Sequence, residues 1–280
     1  MKVLLPVYFL LKSLFAGCHA EIKYSGFKRD RIHSIQRVLD IDTTVKESSG
    51  LACHKGLLWT IGDSGTPPEV YGLNEDGKLV TTIKHAQLKN SDWEELCIDK
   101  TNGRFFIGDF GNNANKRKDL KVYVLDSAKQ VSVHPFSYAL QNEFPPAKPL
   151  RNYDCEAMVY TNDTLILFSK NRGLPLVKWY RLPLTGEPQV LEPSRELYLK
   201  GMVTAAAYDE PSGHLVLLAY GKMYWFKVEQ HDVINAKPWL IKKIPFYGQI
   251  EAICFDEEGN MIFSNEKGKR WKVTNKEKKE

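Results

Sequence analysis

Short apolar runs alternate with polar turns along this chain, and one order of runs and turns recurs five times. In each copy, two apolar runs flank a turn rich in Gly, Asn and Asp, which is the pattern of a β-hairpin. The copies are ESSGLACHKGLLWTIGDSG from Glu47, WEELCIDKTNGRFFIGDFGNN from Trp93, CEAMVYTNDTLILFSKNRG from Cys155, VTAAAYDEPSGHLVLLAYGK from Val203 and IEAICFDEEGNMIFSNEKG from Ile250. Such recurrence indicates a repeat architecture in which each copy builds one unit.

Further apolar runs follow each hairpin and complete a four-stranded unit. Third strands are predicted at EVYGLN, LKVYVLD, LVKWYRLP, MYWFKVE and KRWKVT, and fourth strands at LVTTIKH, QVSVHPFSYAL, PQVLEP and PWLIKKIPF. The anchor residues Glu94, Glu156, Thr204 and Glu251 are separated by 62, 48 and 47 residues, which suits propeller blades with loop insertions. The pattern therefore predicts an all-β fold, a five-bladed β-propeller, with a β-sandwich as the alternative.

The fifth unit reaches the end of the chain without a fourth strand of its own. Its third strand ends near Thr274, and the run IQRVLDI, at Ile35–Ile41, is free to pair with it. An open sheet edge favours pairing with other chains, so closing the last blade with an N-terminal strand removes that edge. We expect this strand to hold the ring shut.

The N-terminal segment has the layout of an export signal. MKVLLPVYFLLKSLFAGCHA combines a basic residue, a short apolar run and small residues, as signal peptides do. The stretch LFAGC also resembles a bacterial lipobox that would lipidate Cys18, and cleavage after Ala20 is the alternative. We expect a signal peptide at 1–20, one propeller domain at 21–275, a disordered tail at 276–280, and a secreted, periplasmic or cell-surface location.

The composition and net charge limit the kinds of partner that the protein is expected to bind. The chain is 43% hydrophobic and 26% charged, which suits a globular fold, and its formal net charge is only +5. Part of that charge lies in the Lys-rich segment from Lys267 to Lys279, so we expect no nucleic-acid binding and membrane contact only through an N-terminal lipid anchor. The cysteines beyond the leader lie in or beside apolar runs, which favours buried thiols, although spacing cannot fix any pairing. They are Cys53, Cys97, Cys155 and Cys254.

In a propeller, the first strand of each hairpin is the innermost strand of its blade. Polar residues recur where this first strand starts and where the second strand of the hairpin ends. In a propeller, both points lie on the same face beside the central tunnel. The starts supply Ser49, Glu94, Glu156, Thr204 and Glu251. The returns supply Asp63, Ser64, Asp109, Asn112, Asn113, Lys170, Arg172, Tyr220, Asn265 and Glu266. We expect these side chains to surround the mouth of the tunnel.

Three glutamates close to one axis would repel each other unless a cation or shared protons compensated them. Oxygen ligands suit a hard cation, and calcium accepts six to eight of them in a flexible geometry. The sequence has no His or Cys cluster suited to zinc. The five residues at the strand starts are therefore predicted to bind Ca²⁺, and the alternative is that each Glu caps a strand or pairs with a Lys.

The phrases ESSGLA, LLWTIGDSG, DWEEL, FFIGDFGNN, DCEAM and LFSKNRG resemble a group of exported bacterial propellers over nearly the whole mature chain. The strand starts are also similar to those of the calcium-activated nucleotidases (apyrases), five-bladed propellers that hold calcium in the central tunnel through Ser and Glu side chains. Position by position, Ser49, Glu94, Glu156, Thr204 and Glu251 stand where that family has Ser, Glu, Glu, Ser and Glu. The exits GDSG and GDFGNN depart from the nucleotidase pattern, so the resemblance implies architecture and metal more than substrate.

Two functions of different classes follow. One is calcium-dependent hydrolysis of a phosphorylated or nucleotide-like anion. Its catalytic candidates are Asp63, Asp109 and Glu266, and its substrate-binding candidates are Ser64, Asn112, Asn113, Lys170, Arg172, Tyr220 and Asn265. The other is a non-catalytic surface module, with structural calcium, that binds a glycan or protein through the same face or through exposed aromatics. Those aromatics would be Trp93, Tyr153, Tyr180 and Trp239. The large apolar area of Trp and Tyr favours the alternative that these residues pack between blades.

Overall fold

A computed structural model describes residues 26–170 and 172–276. The described chain begins with two short strands, β1 at Lys28–Arg29 and β2 at His33–Arg37, which join blades formed much later in the sequence. The predicted leader with Cys18 and residues 277–280 of the predicted tail lie outside the described residues. Within the described residues, no helix is long and apolar enough to cross a membrane.

Five sheets, each built on an antiparallel group of four strands, follow one another around the ring, and each is one blade of a β-propeller. Blade 1 contains β3 Ser48–His54, β4 Leu57–Gly62, β5 Glu69–Leu73 and β6 Leu79–Lys84. Blade 2 contains β7 Trp93–Asp99, β8 Arg104–Asp109, β9 Lys121–Leu125 and β10 Val131–Tyr138, followed by a 3₁₀ turn at Lys148–Leu150. Blade 3 contains β11 Cys155–Thr161, β12 Thr164–Ser169, β13 Leu176–Pro183 and, after β14 Gln189–Leu191, β15 Pro193–Tyr198.

Blade 4 contains β16 Val203–Asp209, β17 His214–Ala219, β18 Lys222–Lys227 and β19 Lys237–Lys243, and blade 5 contains β20 Ile250–Phe255, β21 Met261–Asn265 and β22 Arg270–Asn275. The propeller prediction is confirmed, and the β-sandwich alternative is wrong. Strand β2 pairs antiparallel with β22, with Ile35 opposite Val273, and supplies the missing fourth strand of blade 5. The predicted closure is thus present, although the strand occupies His33–Arg37 rather than Ile35–Ile41.

One predicted outer strand joins a different blade. The run PQVLEP was assigned to the edge of blade 3, but Gln189–Leu191 pairs parallel with β10 of blade 2. The fourth strand of blade 3 is β15, which pairs antiparallel with β13. The prediction failed because local apolar pattern marks a strand but carries no information about which of two neighbouring edges a three-residue strand will meet.

Large aromatic side chains fill the spaces between blades. Trp93, Trp179 and Trp225 are fully buried, each at 1% exposure or less. Tyr153 and Tyr180 are also buried. Packing between blades is therefore confirmed for Trp93, Tyr153 and Tyr180, and the alternative that they form an exposed ligand platform is wrong, because their large apolar area is used to pack adjacent sheets together.

Candidate functional site

Every innermost strand carries a register shift against its hairpin partner near the point where the strand starts. The shifts lie between Ser49 and Leu51, Trp93 and Glu95, Cys155 and Ala157, Val203 and Ala205, and Ile250 and Ala252. The extra residues are Gly50, Glu94, Glu156, Thr204 and Glu251. A β-bulge re-aims a side chain out of the regular alternation of a strand. Four of the five predicted strand-start ligands are thus bulge residues, and blade 1 has a glycine at the bulge beside Ser49.

Gly50 is required by its surroundings. Its φ is +66°, and a Cβ there would overlap the backbone nitrogen of Leu96 in the neighbouring blade. The adjacent Ser49 donates its hydroxyl to the carbonyl oxygen of Glu94 at 2.6 Å. Thr204 donates in the same way to the carbonyl oxygen of Ile250 at 2.6 Å. Both predicted hydroxyl ligands therefore tie one blade to the next.

Three carboxylates converge at the start of blades 1 and 2. Asp63, Asp92 and Glu94 each offer an oxygen, and these three oxygens lie within 4.8 Å of one another. Asp63 follows the second strand of blade 1, whereas Asp92 and Glu94 flank the first residue of β7. A side chain at Gly111 would collide with the carboxylates of Asp92 and Glu94, so the glycine permits this approach. We define these three residues as the acidic cluster.

The carboxylates of the acidic cluster are partly or fully buried and repel each other when they are ionised. Burial, with added repulsion from Asp63, raises the pKa of Asp92 to about 6. Burial and the nearby charges of Glu156 and Asp63 raise the pKa of Glu94 well above its ordinary value. Burial also raises the pKa of Asp63. A bound cation or shared protons would remove this repulsion, and three oxygen ligands suit a hard metal ion.

Glu156 has cationic partners instead. Lys170 forms an ion pair with the Glu156 carboxylate, and Arg172 donates from Nη2 to Glu156 Oε1 at 3.3 Å. Arg172 also donates from Nε to Asp154 Oδ2 at 2.8 Å. Burial alone would lower the pKa of Lys170, but Glu156, Tyr220 and Asp154 together outweigh it and the pKa is raised, so the ammonium stays charged. This ion-pair group lies next to the acidic cluster, because Glu156 and Asp154 are among the charges that raise the pKa of Glu94.

Glu251, the last predicted ligand, is held by neutral donors. Its Oε1 accepts from the Tyr220 hydroxyl at 3.3 Å and from Gln249 Nε2 at 3.2 Å. Burial raises its pKa. The ammonium of Lys170 lies 5.3 Å from the centre of the Tyr220 ring, which connects this group to Glu156. Glu266, a predicted catalytic residue, is half-buried beside Glu251 and adds to the negative charge there.

Several predicted substrate or catalytic residues have structural partners. Asp109 is buried and accepts from Arg117 Nη2 at 2.9 Å, while Lys121 lies 3.1 Å from its other oxygen. Asn112 Oδ1 accepts the backbone N–H groups of two residues in its own loop, at 2.8 and 2.9 Å. Asn265 Oδ1 similarly accepts two N–H groups of the turn that follows it. Ser64 and Asn113 are exposed at the rim.

Sequence reasoning passed over Asp92 and Glu95. Asp92 precedes the strand and lies just outside the phrase that begins at Trp93. Its Asp-x-Glu spacing to Glu94 recurs as Asp154 and Glu156, and this recurrence could have indicated it. Glu95 is fully buried: its Oε1 accepts from Leu96 N at 3.0 Å and its Oε2 from Ala206 N at 3.1 Å. Backbone N–H groups of Leu51 and Met158 also bind it. Glu95 thus connects the innermost strands of four blades.

No protein-family model and no curated protein matches this chain. Among solved structures, a gluconolactonase from Xanthomonas campestris aligns with a TM-score of 0.51 at 14% identity, covering 87% of this chain and 90% of that one. The PQQ-bound aldose sugar dehydrogenase of Streptomyces coelicolor aligns with a TM-score of 0.50 at 8% identity, covering 89% and 100%. A chain of the nidogen/laminin complex aligns with a TM-score of 0.50 at 14% identity, covering 83% and 85%. At these identities the likeness shows the fold alone. Fold and site together define a five-bladed β-propeller with an acidic site that could hold a metal.

Proposed function

We propose that this protein is an exported calcium-binding β-propeller in which Asp63, Asp92 and Glu94 hold the ion. The observation that carries the proposal is the convergence of three carboxylate oxygens within 4.8 Å. The raised pKa values of Asp92 and Glu94 add a reason for a cation there, because each carboxylate is destabilised by burial and by its neighbours. All-oxygen ligands favour calcium or magnesium over zinc, and the flexible geometry of calcium best suits a site completed by water.

The five predicted ligands would place the ion on the axis of the tunnel. The acidic cluster places it nearer to blades 1 and 2. Glu94 belongs both to the predicted ring and to the acidic cluster, so it is the anchor of the site. Ser49 reaches the same region from blade 1, and its oxygen keeps a lone pair after donating to Glu94 O. Glu156 and Glu251 are not ligands of the proposed ion, because their carboxylates already accept bonds from other side chains.

For the activity, we propose hydrolysis of a phosphorylated or nucleotide-like anion at the same mouth. A divalent cation would polarise a phosphoryl oxygen of such a substrate. Asp63 is partly exposed, and burial raises its pKa, which makes its carboxylate a stronger proton acceptor than an ordinary Asp. Arg172, whose side chain is 31% exposed, is the cation best placed to meet an anionic oxygen.

A second candidate is a non-catalytic module that binds a glycan or protein, with calcium stiffening the tunnel. One observation favours it: Lys170 and Arg172 are both engaged with Glu156 and Asp154. A substrate phosphate would have to compete with those carboxylates. Structural calcium alone requires no free cation beside it.

Direct calorimetric titration of metal-free protein with CaCl₂ tests the metal site. We expect one ion per chain, and binding at least 10-fold weaker in Asp92→Asn, because a ligand and one unit of negative charge are lost. Asp76→Asn, an exposed carboxylate in a turn of blade 1, is the matched control and should bind like the wild type. Unchanged binding by Asp92→Asn would refute the assignment of the site.

Turnover distinguishes the two functions. Nucleotides, phosphate monoesters, phosphodiesters and lactones would be assayed with calcium and with chelator. The hydrolase proposal expects calcium-dependent turnover that falls at least 100-fold in Asp63→Asn, because this variant loses both a calcium ligand and the proton acceptor. Calcium binding without turnover of any compound would refute the hydrolase and favour the binding module.

A further inference from the structure

Two cysteines meet near the C-terminal ends of the innermost strands β3 and β20. The acidic cluster lies at the other end of the innermost strands. The Sγ atoms of Cys53 and Cys254 lie 3.2 Å apart, although the residues are separated by 201 positions in the sequence. Both side chains are buried and both thiols are free. A disulfide has an S–S length of about 2 Å. The sulfurs would therefore have to approach each other by about 1.2 Å to form a bond.

The other described cysteines have different surroundings. Cys155 Sγ lies 3.6 Å from the carbonyl oxygen of Ala157 and 3.4 Å from that of Phe168, at the end of the strands nearer the acidic cluster. Cys97 lines the same central cavity as Cys53 and Cys254, but no described thiol lies within bonding distance of it. Among residues 26–170 and 172–276, the Cys53 and Cys254 pair is thus distinguished by contact rather than by burial.

The pair lies where the propeller ring closes. Cys53 is in the innermost strand of blade 1, and Cys254 is in the innermost strand of blade 5. Blades 1 and 5 are the first and last blades, and the remaining closure is non-covalent: β2 pairs with β22 at the outer edge of blade 5. A bond between the two sulfurs would join the ring on its inner side, where the N-terminal strand does not reach.

We propose that Cys53 and Cys254 form a disulfide that closes the ring when the chain folds with a disulfide oxidant, as in compartments reached by exported proteins. One thiolate attacks the oxidant RSSR and releases one thiol RSH, and the second thiolate then displaces the other. The two cysteines lose two protons and two electrons, and the oxidant is reduced to two RSH. Burial raises the pKa of Cys254, so exchange in the folded protein is slow and the bond forms during folding.

Peptide mapping tests the bond itself. The full chain would be refolded with oxidised and reduced glutathione in the presence of chelator, its free thiols blocked, and the protein digested without reduction. The expected product is a peptide pair joined through Cys53 and Cys254 and lighter by two hydrogens than the reduced pair. Absence of that pair, or a pair linking Cys53 to Cys97, Cys155 or Cys18, would overturn the proposal.

Thermal unfolding tests the closure. We expect the oxidised protein to melt about 5–10 °C above the protein treated with dithiothreitol, because a cross-link over a long loop restricts the unfolded chain. The Cys53→Ala/Cys254→Ala variant should melt at the same temperature with and without reductant, whatever its own stability. Cys97→Ala, from the same cavity, is the control and should respond as the wild type does. An equal response to reductant in the double variant would refute a stabilising cross-link at this pair.

Discussion

Adjacent glutamates at the start of blade 2 have opposite roles. Glu94 is the bulge residue, and its carboxylate lies among other acids. Glu95 follows it, points into the centre of the propeller and accepts backbone N–H groups from several innermost strands. The bulge separates them, because it turns consecutive side chains away from regular alternation. One glutamate is therefore available to a ligand, and the other maintains the fold.

Stability measurements will distinguish these two roles. Glu95→Ala leaves buried N–H groups of Leu96 and Ala206 unpaired, and we expect a loss of about 3 kcal/mol or more in the free energy of unfolding. Glu94→Gln removes a carboxylate that burial and Glu156 destabilise, so without metal its stability should equal or exceed that of the wild type. Urea unfolding in chelator gives both values. Comparable losses for the two variants would contradict this division of roles.

His33 makes folding sensitive to mild acid. Its ring stacks on Trp225 with centroids 5.0 Å apart, and its Nδ1 lies 3.1 Å from Asp30 Oδ1. Burial lowers the pKa of His33 despite the attraction of Asp30. Because the folded pKa is below the unfolded value of about 6.5, the stabilising contribution is complete above that pH and is lost as the pH falls below it.

The corresponding prediction uses His33→Phe, which keeps the stacked ring but does not titrate. Between pH 7.5 and pH 5 the free energy of unfolding should fall less in this variant than in the wild type. Some dependence will remain, because burial also lowers the pKa values of His54, His134 and His214. Identical pH dependence of variant and wild type, measured by urea unfolding, would show that His33 does not contribute.

At the scale of elements, the strands that follow from a local pattern of apolar runs and turns were predictable from the sequence. The five hairpins and the third strands follow from apolar runs and turns such as the one at Gly103, and the structure has them where the sequence indicated. The closing strand was also predictable, since blade 5 lacked a partner within its own repeat. The pairing of Gln189–Leu191 with blade 2 was not predictable, because both neighbouring blades offer an edge to a short strand.

The candidate site was predictable to a lesser degree, for a similar reason. Repeated phrases indicated Glu94 and Glu156 at equivalent positions, but the structure gives Glu156 a lysine partner and leaves Glu94 among acids. Equivalence in sequence does not fix the neighbours, because each mouth residue meets loops that differ from blade to blade. Asp92 lies in such a loop and completes the acidic cluster.

The closing element depends on Arg270 as well as on strand pairing. Its guanidinium donates from Nε to Leu39 O at 2.6 Å and from Nη2 to Glu75 O at 3.0 Å. It thus joins the segment after β2 to a turn of blade 1. Burial lowers the pKa of Arg270, whereas the nearby charge of Asp40 opposes that shift.

We expect Arg270→Ala to destabilise the protein by about 2 kcal/mol or more, because two carbonyl oxygens lose a charged donor. Arg181→Ala is the control: that side chain is 50% exposed and pairs with Asp232 at the surface, so its loss should cost less than about 1 kcal/mol. Chemical unfolding of the two variants provides the comparison. A loss at Arg270 no larger than at Arg181 would show that the N-terminal strand is held by backbone pairing alone.

At the scale of the whole molecule, positive charges outnumber negative ones, whereas the acidic cluster concentrates negative charge at one place. The chain carries 39 Lys and Arg against 34 Asp and Glu, for a formal net charge of +5. A cation therefore gains nothing from the net charge and would bind only where carboxylates are concentrated. Binding should then be localised and sensitive to single substitutions, and it should stabilise the ring because the ligands come from blades 1 and 2.

Thermal unfolding measures that whole-molecule effect. Calcium at about 100 times its dissociation constant should add about 2.7 kcal/mol, which corresponds to a rise of about 5–10 °C in the melting temperature of a domain this large. Chelator should reverse the rise, and magnesium at the same concentration should give a smaller one, since it loses its water less readily. Asp92→Asn should lose about half of the calcium response or more, whereas Asp76→Asn should keep it. The ligands reach the ion only when blades 1 and 2 are assembled, so a folded protein that melts at the same temperature with and without calcium would contradict a calcium site there.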